Sequence, residues 1–179
     1  MKIALFFVAV LGWIAGLTVH VLAIRGTDVE DTIPYIWILH VGIFFVWLPT
    51  ILEMRKNTEL TSHRQSGIMN KLTPIGLFKR ILKDTPMWLR VIAIAGFFYA
   101  LINFLQFMIS QPGIPEIENG QYILQNRGKL IRTLTEEEYH FYKANVLRGF
   151  SGHWIFFYGM AAAVLFPFKR QPNQDTNTA

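Results

Sequence analysis

The sequence predicts an all-α integral membrane protein: a four-transmembrane-helix bundle carrying a small extracytoplasmic β-hairpin plus helix between helices 3 and 4. Three observations predict it. In a chain of 179 residues, 52% are hydrophobic and 15% aromatic, too oily for a water-soluble domain of that length. The apolar residues fall into four long runs, and the basic residues gather on one side of them.

The first run, about residues 3–24, is apolar except for Thr18 and His20. At ~1.5 Å rise per residue it is long enough to cross a ~30 Å hydrocarbon core. Its length exceeds the ~7 to 15 residues of a usual signal-peptide core, which favours a retained span over a cleaved leader. The second covers about 35–52, opened by Pro34 at a helix's first turn and kinked by Pro49. The third, about 88–109, follows Thr85-Pro86, read as a cap residue and an N1 proline. The fourth runs over about 151–168.

Direction follows from charge, because short loops rich in Lys and Arg stay in the cytosol. Arg55, Lys56, Arg64, Lys71, Lys79, Arg80, Lys83 and Arg90 crowd the segment between spans two and three. Lys2, Lys169 and Arg170 join them on the same side, whereas the loop between spans one and two carries Asp28, Glu30 and Asp31 against Arg25. Both termini are therefore expected in the cytosol, with the bacterial inner membrane as the location. Within the cytoplasmic loop, 53–87, an amphipathic interfacial helix is expected at 74–83, and the polar tail at 171–179 is expected to be disordered.

The outer segment, 110–150, holds a β-hairpin over 121–133, with Asn126-Arg127-Gly128-Lys129 at its turn. Thr135 and Glu138 form a T-x-x-E capping box that starts a helix over 136–148, and Glu136 and Glu137 suit its positive end. That helix approaches the fourth span at Gly149 and Gly152, where it can bend or break.

Polar residues in the spans concentrate toward the outer side: His20, His40, His153, Asn103 and Gln106. Buried in lipid each would cost a few kcal/mol unless partnered, so they are expected to face one another or a water-filled recess rather than lipid. Gly12, Gly16 and His20 share one face of span one, in a G-x-x-x-G pattern that admits a neighbouring helix, and Gly96, Ala100 and Asn103 form a similar stripe in span three. An outward polar pocket follows. Two imidazoles there could hold b-type haem and three a divalent metal. Alternatively the histidines are interfacial residues bonded to water or backbone, or handle a proton or a quinone carbonyl. His63 and His140 are expected in solvent.

Other chemistries are excluded. No cysteine is present, so no thiolate site or disulfide exists. Ser151 and His153 are two apart and cannot face each other on a helix, and no phosphate-binding glycine loop occurs. The net charge of +5 is accounted for by topology and comes with no nucleic-acid-binding pattern. The leading functional expectation is an accessory, assembly or interaction subunit, with the bilayer and a membrane or extracytoplasmic protein as partners. The alternative is a redox subunit using His20, His40 and His153.

Overall fold

A computed structural model describes residues 2–55, 82 and 85–166, the side chains of 53–55 excepted. Within them the elements are α1 (Lys2–Ile24), α2 (Val29–Thr32), α3 (Ile38–Arg55), α4 (Met87–Ser110), β1 (Ile114–Glu118), β2 (Gln121–Asn126), β3 (Lys129–Thr133) and α5 (Glu136–Leu165). The protein is mostly helical with one small antiparallel sheet. Two helices, Lys2–Ile24 and Met87–Ser110, are long and apolar enough to cross a membrane; the apolar stretch of α3, Ile38–Leu52, is shorter. The interfacial helix expected at 74–83, apart from Leu82, and the tail at 171–179 lie outside the described residues.

The long helix α5 organises the rest, packing against α1, α4 and α3. Glycines at these contacts set how closely the helices meet. A Cβ on Gly12 would lie 2.5 Å from the Tyr158 ring, one on Gly16 3.3 Å from Trp154, and one on Gly149 2.5 Å from Phe107. The pairing of 12 with 158 and 16 with 154 makes α1 antiparallel to α5. Asn103 against Gly152 and Phe107 against Gly149 do the same for α4. The core contains Ala9, Val46, Trp154, Tyr158 and Ala161, all nearly inaccessible. Small residues bring backbones together, and the two large aromatics fill the space left between helices.

Several sequence expectations change. Instead of breaking at Gly149 or Gly152, α5 runs 30 residues without interruption, because each glycine accommodates a side chain of α4 while keeping helical backbone. Helix α3 begins at Ile38, three residues later than expected, after a turn at 34–37, and continues through Pro49. Helix α4 is capped by Pro86, with no side-chain cap. Thr85 instead donates its hydroxyl to the Ala163 carbonyl at 3.2 Å, fastening α4's start to the far end of α5.

The sheet has three strands, not two, in the order β1-β2-β3. β1 pairs Ile114 with Gln125 through Glu118 with Gln121, and β2 pairs with β3 across an irregularity at Leu124/Gln125. Two-residue turns join them, Asn119-Gly120 (φ 49° and 76°) and Arg127-Gly128 (φ 52° and 77°). Positive φ at both central residues is the hairpin geometry that matches strand twist. Thr135 caps α5, accepting from the Glu138 N–H at 3.2 Å while Glu138 accepts from the Thr135 N–H at 3.0 Å.

Glu138 also takes two bonds from Arg132, at 2.8 and 2.9 Å, tying β3 to the helix start. Those Arg132 bonds, with the Thr135 N–H, hold the Glu138 carboxyl down at about 2. On the other side, α2 is clamped to α5: Asp28 meets His140 at 2.8 Å and Glu30 meets Lys143 at 3.2 Å. His140, expected in solvent, is thus engaged with a carboxylate.

Candidate functional site

The polar side chains of the helices collect near the sheet end of the helical body, in two groups on opposite flanks of α5. The first joins α1, α4 and α5. The glycine face of α1 turns His20 inward, where it is 2% exposed. Its Nδ1 lies 2.7 Å from Ser151 Oγ, and its Nε2 lies 2.5 Å from the Tyr99 hydroxyl. Ser151 Oγ also lies 3.2 Å from the Arg148 carbonyl.

Counting protons fixes the direction of this chain. A carbonyl only accepts, so Ser151 gives its single hydroxyl proton to Arg148. His20 must then donate through Nδ1–H to Ser151, and Tyr99 donates through O–H to Nε2. Every donor finds an acceptor, and the imidazole is neutral. Asn103, also buried, donates to the carbonyls of Arg148 (3.0 Å) and Gly149 (3.3 Å).

A serine so close to a histidine resembles the first two members of a hydrolytic dyad. Ser151 is 0% exposed and the second imidazole nitrogen faces a tyrosine rather than a carboxylate, so the pair joins helices and presents no nucleophile. Ser151 and Tyr99 were not among the expected site residues. No local signal pairs Ser151 with His20, which is 131 positions away. Tyr99 sits in the Gly96, Ala100, Asn103 stripe and was legible there.

The second group lies on the other flank, in a groove of about 460 Å³ lined by residues of α3, α4 and α5, including His40 and His153. The indole of Trp154 donates Nε1–H to His40 Nδ1 at 3.0 Å. Indole nitrogen only donates, so His40 Nδ1 is an acceptor and its proton sits on Nε2. His153 is the reverse: Nδ1 lies 3.2 Å from the Gly149 carbonyl and must carry the proton, leaving a lone pair on Nε2. The groove thus holds one imidazole edge that donates and one that accepts. Aromatic neighbours position both rings, with Phe104 at 5.0 Å from His153 and Phe150 at 5.9 Å from His40, centre to centre.

The remaining expected site residues divide. Ala100 is buried beside Asn103 on α4, and Gly12 and Gly16 lie against α5. Gly96 does not pack: a Cβ there would meet nothing within 4 Å, since it borders an apolar groove between α1, α4 and α5. Gln106 is exposed on α4 rather than turned toward the histidines, because one face of that helix is taken by Asn103 and Phe107 against α5.

These donors do not fit a haem or a divalent metal. Both nitrogens of His20 are committed to Ser151 and Tyr99, and His40 would have to lose a proton or release Trp154 to offer Nε2. Of these three histidines only His153 presents a free lone pair, and among the described residues no three His, Asp or Glu come together around a common point. No protein family model, curated protein or solved structure matches the chain.

Proposed function

We propose that the chain is a multi-pass protein of the bacterial inner membrane, a four-helix bundle with both termini cytoplasmic, that serves as an interaction subunit. Its contact surface is the unit formed by the sheet and the first half of α5, on the extracytoplasmic side. One observation carries the membrane placement: large apolar side chains point outward along the helices while polar ones pair inside. Leu11 is 66% exposed, Phe45 73% and Ile102 63%, whereas His20 and Asn103 are buried. A continuous apolar coat of this kind is unfavourable in water and matched by acyl chains.

The interaction role is supported by the sheet. Among the described residues the outer edges of β1 and β3 pair with no further strand, and Ile114, Ile117, Leu130 and Ile131 are exposed there. Unpaired strand edges with apolar side chains accept a partner strand by backbone hydrogen bonding. The Arg132–Glu138 and Asp28–His140 contacts hold this surface in one orientation.

The absence of cysteine allows a clean test. A single Arg127→Cys at the hairpin turn should react with a membrane-impermeant maleimide on intact cells, and a photo-crosslinking residue in place of Leu130 should capture a discrete protein. Labelling that requires permeabilised cells would overturn the orientation. Crosslinks to lipid alone would overturn the interaction role.

A further inference from the structure

We infer that the groove between α3 and α5 binds the head of a lipid-soluble hydroquinone, with His40 and His153 holding one of its hydroxyl groups. The inference rests on the membrane placement proposed above and adds a small-molecule ligand to it. Its starting point is the opposite polarity of the two imidazoles. Neither Nε2 takes part in a hydrogen bond among the described residues, and both rings are half-buried and line the same groove. A phenolic O–H can give its proton to the His153 Nε2 lone pair while its oxygen accepts from His40 Nε2–H. A quinone carbonyl or a phospholipid ester offers only an acceptor and leaves His153 unmatched.

The walls agree with a flat ring. Phe44, Phe104 and Phe150 surround the imidazoles, giving edge and face contacts that suit an aromatic guest. The unpaired polar edges lie at one end, since the Trp47 indole N–H farther along is bonded to the Phe157 carbonyl. His40 is in the first turn of α3, His153, past the middle of α5, lines the same groove, and from His40 the groove runs along α3 past Leu48 to Ile51, about 16 Å at the helical rise. Leu48 and Ile51 are exposed and apolar. A site with a hydrogen-bonding ring pocket at one end and a greasy trough leading from it has the shape of an amphiphile with a ring head and a hydrocarbon tail. Pockets of a few hundred Å³ with few, placed polar groups are the usual form of small-molecule sites.

The polarity also sets a preference for the reduced ligand. The hydroquinone makes two hydrogen bonds where the quinone makes one, so it should bind about tenfold tighter, the worth of one neutral hydrogen bond. The probe pair is decylubiquinol and decylubiquinone, titrated anaerobically into the purified full chain in nanodiscs, with quenching of tryptophan fluorescence as the readout. Trp47 lines the groove and reports occupancy.

Saturable quenching is expected, tighter for the quinol, with His153→Leu reducing quinol affinity about tenfold to the level of the quinone. Among the described residues His153 bonds only to backbone of its own helix, so this variant should keep the fold, checked by circular dichroism. Tyr99→Phe, on the opposite flank, should leave binding unchanged. Nitrogen-15 spectra of histidine-labelled protein should show His153 protonated at Nδ1 and His40 at Nε2, with both Nε2 signals moving on addition of quinol.

Quenching that only grows linearly with probe would overturn the inference, as would equal affinity for the two redox forms or a His153→Leu variant that binds as the native chain does. Phospholipid retained in the groove and not displaced by quinol would overturn it too. Because binding is read on the isolated chain, its failure is distinguishable from a failed topology or crosslinking test.

Discussion

Replacing Gly12 with alanine should destabilise the helical body, although alanine is the better helix former. The added Cβ would stand 2.5, 2.6 and 2.8 Å from Tyr158 Cε1, Cδ1 and Cζ. Carbon atoms prefer ~3.5–4.0 Å, so the ring or the helix must retreat by about 1 Å. The ring has little freedom to do so. Its other side faces Gly42, and its hydroxyl donates to the Leu39 carbonyl at 2.8 Å, so Tyr158 is wedged between α1 and α3. Overpacking of this kind costs about 1–3 kcal/mol, against a propensity gain of up to about 1 kcal/mol.

The net loss, up to about 2 kcal/mol once the propensity gain is subtracted, corresponds to as much as a roughly 30-fold fall in the folding equilibrium. Reversible unfolding in mixed SDS and mild-detergent micelles, followed by circular dichroism, reads it directly. Gly96→Ala provides the contrast, since its Cβ meets nothing within 4 Å and should be neutral or stabilising. In a Tyr158→Ala background the Gly12→Ala penalty should vanish, a coupling of at least about 1 kcal/mol. Equal penalties with and without the Tyr158 ring, or a Gly96→Ala cost as large as that at Gly12, would refute the wedge.

Two further outcomes follow from the hydrogen-bond chains. Ser151→Ala removes the acceptor of His20 Nδ1–H and should move that proton from Nδ1 to Nε2, now donating to Tyr99; nitrogen-15 spectra that already show Nε2–H in the native chain would mean the chain runs the other way. Glu138 titrates near 2 in the folded chain against an ordinary 4.5, so its stabilisation of the α5 start is complete above about pH 4.5 and is lost as pH falls through about 2. Protection of the amides at 135–140, corrected for the intrinsic pH dependence of exchange, should fall across that window in the native chain and show no such fall in Glu138→Gln.

How much of this was legible in the sequence depends on whether the signal is local. Thr135 and Glu138 are three residues apart, and their reciprocal bonds follow from chain geometry once a helix starts. The Arg127-Gly128 turn is equally local. β1 is hard to read from the sequence because Ile114–Glu118 contains a proline and two carboxylates and so reads weakly as a strand. The Asn119-Gly120 dipeptide beside it, a strong hairpin signal, would have revealed it.

Gly149 and Gly152 show the opposite limit. As isolated residues they argue for a break in a helix; packed against Phe107 and Asn103 they are the positions where only glycine lets α4 approach α5. Asn103 was placed inward by its stripe and is buried, while Gln106, three residues on, turns outward, because a helix offers only one face to a single neighbour.

The sequence by itself determined that long apolar helices form, where the sheet-side helix begins and which residue types are available to make polar contacts, because periodicity, capping and turn chemistry act over a few residues. Only the tertiary structure decided which histidine meets which partner. Trp154 and the Gly149 carbonyl assign the protons of His40 and His153, and Ser151 and Tyr99 assign that of His20. A hydrogen bond needs its two groups within about 3 Å of each other. Packing of distant segments brings them there, and nothing in the spacing of residues along the chain encodes it.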